Sequence, residues 1–244
     1  MNLEIKIGLF VLVIILAIVI YDVIQTTRLI RIGVQQTNTT QAFERRLNTP
    51  EYRFLIIGDS SAVGVGASPQ EGSIAGRLAA DFPTADIHSL AVSGSKVTDA
   101  IQQLESLPET ERYDLILIQI GGNDIVRSTP YAELKRNLPQ VFELANAHSK
   151  NVVQLTSGNV GTSKLLPFGT RWYFTLRTKA VRKIFMSIAA DQHVHYIDLF
   201  RSRARDPYAQ DPKTYYSPDF FHPSAEGYGD WYSFVKPIIT EIIK

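Results

Sequence analysis

The chain has 244 residues, a formal net charge of +1, a hydrophobic fraction of 45% and no cysteine. Near-neutral charge offers no global attraction to nucleic acid, and the lack of cysteine excludes disulfides, thiolate catalysis and cysteine-based zinc sites. Setting aside about 50 N-terminal residues leaves about 195, enough for one domain with a full core.

The N-terminus differs in kind from the rest. From Ile7 to Tyr21 every residue is apolar, glycine or tyrosine. A membrane-spanning helix needs about 20 residues, which Ile5 to Ile24 supplies with Lys6 and Asp22 near its ends. A cleaved signal peptide would need a small-x-small site after the apolar run, and Val19-Ile20-Tyr21-Asp22-Val23 has none. The run is apolar on all sides, unlike the one-sided stripe of a helix packed on a soluble core. The expectation is an uncleaved single-pass anchor within residues 1–34. Basic residues on its two flanks, Lys6 against Arg28 and Arg31, are too evenly balanced to choose a membrane side. Residues 35–52 begin with Gln35-Gln36-Thr37-Asn38-Thr39-Thr40-Gln41, polar and aperiodic, and are expected to form a linker.

Residues 53–244 are expected to form one domain. Short apolar runs at Arg53–Ile57, Asp86–Leu90, Tyr113–Ile120, Val152–Thr156 and His195–Leu199 predict strands. Helical patterns fall between them at Gly72–Phe82, Val97–Leu107, Tyr131–Ser149 and Leu176–Ala190, with a last helix from Ser224 to Ile243. The strand runs are continuous rather than alternating, as when helices cover both faces of a parallel sheet. Such alternation of strand and helix implies right-handed crossovers and a doubly wound, three-layer α/β sandwich around a five-stranded parallel sheet. Sites in such sheets form at the carboxyl ends of strands.

Three blocks carry chemistry. Gly58-Asp59-Ser60 follows Phe54-Leu55-Ile56-Ile57; Gly121-Gly122-Asn123-Asp124 follows Leu115 to Ile120; and Asp219-Phe220-Phe221-His222 lies near the C-terminus. A serine needs a base to become a nucleophile, and imidazole titrates near neutrality. Asp219 is positioned to accept a hydrogen bond from the other ring nitrogen of His222 and hold its tautomer. Pro223 suits a first helical position, which would leave His222 at a helix entry.

Together these blocks resemble the SGNH (GDSL-type) serine hydrolases, from about Arg53 to the C-terminus. The glycine block maps onto Gly94 in Ala91-Val92-Ser93-Gly94, the Gly-x-Asn-Asp block onto Gly121 to Asp124, and the Asp-x-x-His block onto Asp219 and His222. Ser61 stands where the family name has leucine, and Ser89-Leu90-Ala91 lacks an asparagine common in relatives. The resemblance implies a flavodoxin-like SGNH fold and catalysis by Ser60, Asp219 and His222. It also implies an oxyanion hole of the Ser60 and Gly94 N–H groups and the Asn123 side-chain amide. Gly94 and Asn123 taken singly would read as turn residues. Asp59 and Asp124 are expected to hold loops, and Gly64 and Gly66 to let the loop after Ser60 fold tightly.

The remaining histidines, His88, His148, His193 and His195, show no metal-like spacing, so neither metal nor cofactor is expected. Between Glu143 and Asp191 there is no acidic residue, while Lys150, Lys164, Arg171, Arg177, Lys179, Arg182 and Lys183 fall there. Leu165 to Phe174 would then be a basic, aromatic loop on the active rim, suited to phospholipid head groups. The preferred reading of that region is an ordinary solvated helix face with some of the aromatics packed into the core. The function expected is a membrane-anchored serine esterase acting on lysophospholipid, acyl or acetyl esters, with the membrane and a small-molecule or lipid ester as partners. An acyltransferase sharing the acyl-enzyme, or a non-catalytic binding module on the same fold, are the alternatives.

Overall fold

The computed structural model describes residues 2–243. In chain order the elements are α1 (Leu3–Thr39), β1 (Tyr52–Gly58), α2 (Ser60–Val63), α3 (Ile74–Asp81), β2 (Ala85–Ser89), α4 (Val97–Glu105), β3 (Leu115–Gln119), α5 (Gly122–Val126) and α6 (Tyr131–His148). There follow β4 (Val152–Leu155), α7 (Arg171–Asp191), β5 (His195–Ile197), α8 (Pro207–Gln210), α9 (Pro212–Tyr215) and α10 (Ala225–Ile242).

The sheet is five-stranded, in the order β2-β1-β3-β4-β5, and every pairing is parallel. Both faces of its central strands are buried, which explains the continuous apolar runs. Phe54 and Ile56 of β1, with Leu115 and Leu117 of β3, join Ile74 and Leu78 of α3 and Tyr228 and Val235 of α10 in one core. Leu55 and Ile57, with Ile116 and Ile118, join Leu104, Leu138, Phe142 and Phe185 in the other. Residues two apart share a face of a strand, so each central strand feeds two layers. Each of these large side chains contributes about 1.5–3 kcal/mol by leaving water.

This is the doubly wound sandwich expected. The order of winding reverses between β1 and β3, and a crevice opens there at the strands' carboxyl ends. Gly58 ends β1 at φ +137°, and a Cβ on it would lie 1.9 Å from the Gln119 carbonyl oxygen. Only glycine lets the two strand ends approach so closely at the point where Ser60 emerges.

Three local expectations are corrected. The segment from Gln35, expected as the start of a linker, is helical through Thr39, so α1 runs unbroken out of the apolar run. Helix α7 begins at Arg171 rather than Leu176, so the last four residues of the expected basic loop form its first turn. Pro223 does not open a helix: it bridges Tyr216, and Ser224 caps α10 by accepting from the Gly227 N–H at 3.1 Å.

Candidate active site

Ser60 is the first residue of α2, directly after the tight end of β1. Asp59 caps that turn, its Oδ1 accepting from both the N–H and the hydroxyl of Ser61 at 2.8 Å. Burial pushes the Asp59 carboxyl up to about 6, against the opposing pull of the Ser61 hydrogen bonds. Ser61, where the family pattern has leucine, thus serves the cap.

His222 Nε2 lies 2.9 Å from Ser60 Oγ, and His222 Nδ1 lies 2.6 Å from Asp219 Oδ2. With Nδ1–H donating to the carboxylate, Nε2 is left to accept the serine proton. Asp219 is wholly buried. Its Oδ1 accepts from Ser217 Oγ at 2.8 Å, the Phe221 N–H at 2.9 Å and the His222 N–H at 3.0 Å. Burial alone would raise its carboxyl, but the His222 hydrogen bond and charge and the neighbouring donors hold it below the usual range. Serine, histidine and aspartate come together from residues 60, 222 and 219.

The expected oxyanion donors come from three separate segments of the chain. Asn123, in the first turn of α5, lines the cleft with Ser60. One of its amide hydrogens goes to the Ser95 carbonyl oxygen at 3.0 Å, leaving the other available. Gly94 adopts φ +87° in the adjoining loop and lines a neighbouring depression with Arg127. Among the described residues no backbone acceptor takes the N–H of Ser60 or of Gly94. Asp124 is buried, accepts from the Val97 N–H at 3.0 Å, and has its carboxyl raised by desolvation. It ties α5 to α4, the structural role expected of it.

Residues 56–229 match the GDSL-like Lipase/Acylhydrolase family. The chain belongs to this family. Esterase TesA of Pseudomonas aeruginosa is 25% identical over 149 residues, spanning 60% of this chain and 69% of that protein. A crystal structure of TesA superposes with a TM-score of 0.61 at 20% identity, over 78% of this chain and 99% of that one. A point variant of Axe2, an acetyl xylan esterase from Geobacillus stearothermophilus, gives a TM-score of 0.57 at 18% identity, covering 79% and 95%. These superpositions establish the fold, and the family carries ester hydrolysis as the broad activity of this GDSL-like hydrolase.

Two supporting residues were not foreseen. Gln103 of α4 is buried and its amide clasps Gly58, accepting from the Gly58 N–H at 2.8 Å and donating to its carbonyl at 3.0 Å. The same Nε2 reaches Ser95 Oγ at 3.1 Å, so one side chain joins the end of β1 to the Gly94 loop. Ser217 holds Asp219 as described. The signal for Gln103 was its register on the buried face of α4, one turn from Ala100 and beside Leu104.

The far side of the cleft comes from the ends of β4 and β5 and from α8 and α10. It includes Ser157, Asn159, Arg201, Tyr208 and Trp231. Ser157 Oγ, Arg201 Nε, Tyr208 Oη and Trp231 Nε1 are buried with no protein partner among the described residues. Arg201 pairs through both terminal nitrogens with Asp230.

The basic stretch divides. Arg177 is buried and donates to the carbonyls of Ile125, Asp124 and Thr129, bracing the turn that bears Asn123. Arg182 pairs with Asp198. Phe168 and Trp172 are exposed, by 77% and 67%, with Arg171 over the Phe168 ring. Of the aromatics there, Phe174 packs against the core, as the preferred reading expects, while Phe168, Trp172 and Tyr173 stay exposed. No group of three or more metal-type ligands occurs among the described residues.

Proposed function

We propose that this GDSL-like hydrolase cleaves carboxylic esters through an acyl-Ser60 intermediate. The observation that carries the reading is the continuous contact from Ser60 Oγ to His222 at 2.9 Å and from His222 to Asp219 at 2.6 Å. As Ser60 Oγ attacks the ester carbonyl, its proton passes to His222 Nε2. The new imidazolium is stabilised by Asp219. The oxyanion draws on the Ser60 and Gly94 N–H groups and the free Asn123 amide hydrogen, each donor worth about 3 kcal/mol to the transition state. His222 then returns its proton to the departing alcohol. A water deprotonated by the same nitrogen attacks the acyl-serine, releases the acid and restores Ser60.

The far wall supports a narrower reading of the substrate class. Three of its four unpartnered atoms carry N–H or phenolic O–H groups, and the Arg201 charge is already met by Asp230. Such a surface suits neutral oxygen acceptors, carbonyls and hydroxyls, better than a long alkyl chain or a second anion. Within the acyl, acetyl and lysophospholipid esters considered, a short acyl group on a hydroxylated alcohol fits it best. Axe2, an acetyl xylan esterase with this fold, acts on an ester of that kind.

The apolar run of α1 is proposed as a single-span membrane anchor for a hydrolase domain of residues 53–244, joined through 35–52. It is long and apolar enough to cross a bilayer, and its apolar window is unburied. A fluorophosphonate probe should label the wild type and not Ser60→Ala; labelling of another serine would overturn the nucleophile assignment. The full-length protein should stay with membranes through carbonate washing, and a mature chain starting after Tyr21 would overturn the anchor.

A further inference from the structure

Helix α1 does not leave the molecule where its apolar run ends. From Asp22 onward its covered positions recur with helical spacing, through Gln25, Leu29, Ile32, Gly33 and Gln36, so one stripe lies on the domain. Gly33 is the buried residue of that stripe. A Cβ at Gly33 would lie 2.9 Å from Asp219 Oδ2, the same oxygen that meets His222 Nδ1 at 2.6 Å. That carboxylate has no slack, because Ser217, Phe221 and His222 hold its other oxygen.

A second contact runs beside the first. Ser217 Oγ lies 2.8 Å from Asp219 Oδ1 and 3.3 Å from the Gln36 side-chain oxygen. A serine has one proton, and the carboxylate takes it, so the Gln36 amide sits best turned with its NH2 donating to Ser217. A chain of polar groups then runs from α1 through Ser217 and Asp219 to His222 and Ser60.

We propose that the docked half of α1 is part of the catalytic centre, with Gly33 and Gln36 as positioning residues for Asp219. Gly33 seals the carboxylate from water at a separation that no side chain permits. Exclusion of water keeps the Asp219–His222 interaction in a low-dielectric setting, where it is stronger. Gln36 leaves the Ser217 proton committed to Asp219. This rests on Ser60, His222 and Asp219 being the reacting groups.

The test uses the full-length chain in detergent micelles, with a short neutral aryl ester as substrate. Gly33→Val should lower kcat by about 10²-fold, the cost of a misplacement of roughly 1 Å. KM should stay within about twofold, because no group that binds substrate is touched. Gly33→Ala should fall between, and Val34→Leu, on the exposed face of the same turn, should match the wild type. Wild-type kcat in Gly33→Val, with Ser60→Ala inactive, would overturn the proposal and leave the triad standing. Activity surviving in Ser60→Ala would overturn the triad instead.

Should Gly33→Val fail to fold, Gln36 supplies a test without a clash. Gln36→Ala should lose about three- to tenfold in kcat, the worth of one hydrogen bond. Gln36→Glu should lose more, because its carboxylate competes with Asp219 for the single Ser217 proton. A purely structural role would give no such ranking in folded variants, so equal and wild-type rates in both would overturn the proposal.

Discussion

The two walls of the cleft are built on opposite principles. On the Ser60 side, Ser217, Asp219 and His222 bond one another, and Asp59, Gln103 and Asn123 are held by Ser61, Gly58 and Ser95. On the far side, Ser157, Arg201, Tyr208 and Trp231 each bury a polar atom that no described residue satisfies. A buried unmet donor costs about 1–3 kcal/mol, so these groups gain most from water or substrate oxygens. The near wall is closed by its own hydrogen bonds, and the far wall keeps four buried polar atoms without a protein partner.

That contrast can be broken by substitution. The largest effect belongs to the near wall: His222→Ala should lower turnover by about 10⁴-fold or more with the fold intact, measured beside circular dichroism. Next, Asn123→Ala should cost about 10²–10³ in kcat. A wild-type rate there would make Asn123 merely the tether of the Gly94 loop through Ser95.

The far wall should respond in selectivity instead. Trp231→Phe keeps an aromatic ring and removes the pyrrole portion with its N–H. It should raise KM about three- to tenfold for an acetylated sugar and leave an aryl acetate almost unchanged. Equal losses on both would place Trp231 with the packing of α10 instead.

The smallest effect concerns stability at Asp59. Its carboxyl is raised to about 6 by burial. The folded state therefore holds this proton more tightly than the unfolded one, and that contribution is lost as pH rises through about 6. Asp59→Asn removes the titration. The melting temperature of the variant relative to wild type should climb between about pH 4 and 7; a flat difference would show Asp59 to be ionised throughout.

The sheet was legible because its strands are buried on both faces, and Phe54 to Ile57 or Leu115 to Ile118 admit few other readings. The grouping of Ser60, Asn123, Asp219 and His222 followed from motif and topology together. What stayed hidden was held by polar contacts. Helix α1 docks after Tyr21 through a mixed stripe, Leu29 and Ile32 beside Gly33, Gln36 and Thr37, and a search for apolar periodicity passes over such a stripe. Gln103 looks like a surface amide until Gly58 is seen between its two polar atoms. The start of α7 was missed because Thr170 makes no side-chain cap and Trp172 faces outward.

The docked helix also fixes altitude. A flexible segment as long as residues 35–52 would let the domain roam over roughly 25 Å. Instead, Gly33 lies 12 residues beyond Tyr21 on one unbroken helix, about 18 Å of rise. In the anchored form proposed above, the catalytic serine therefore rides at one set height over the bilayer, like a blade on a post. In that form it would trim esters that project to that level and pass over those lying flush with the lipid.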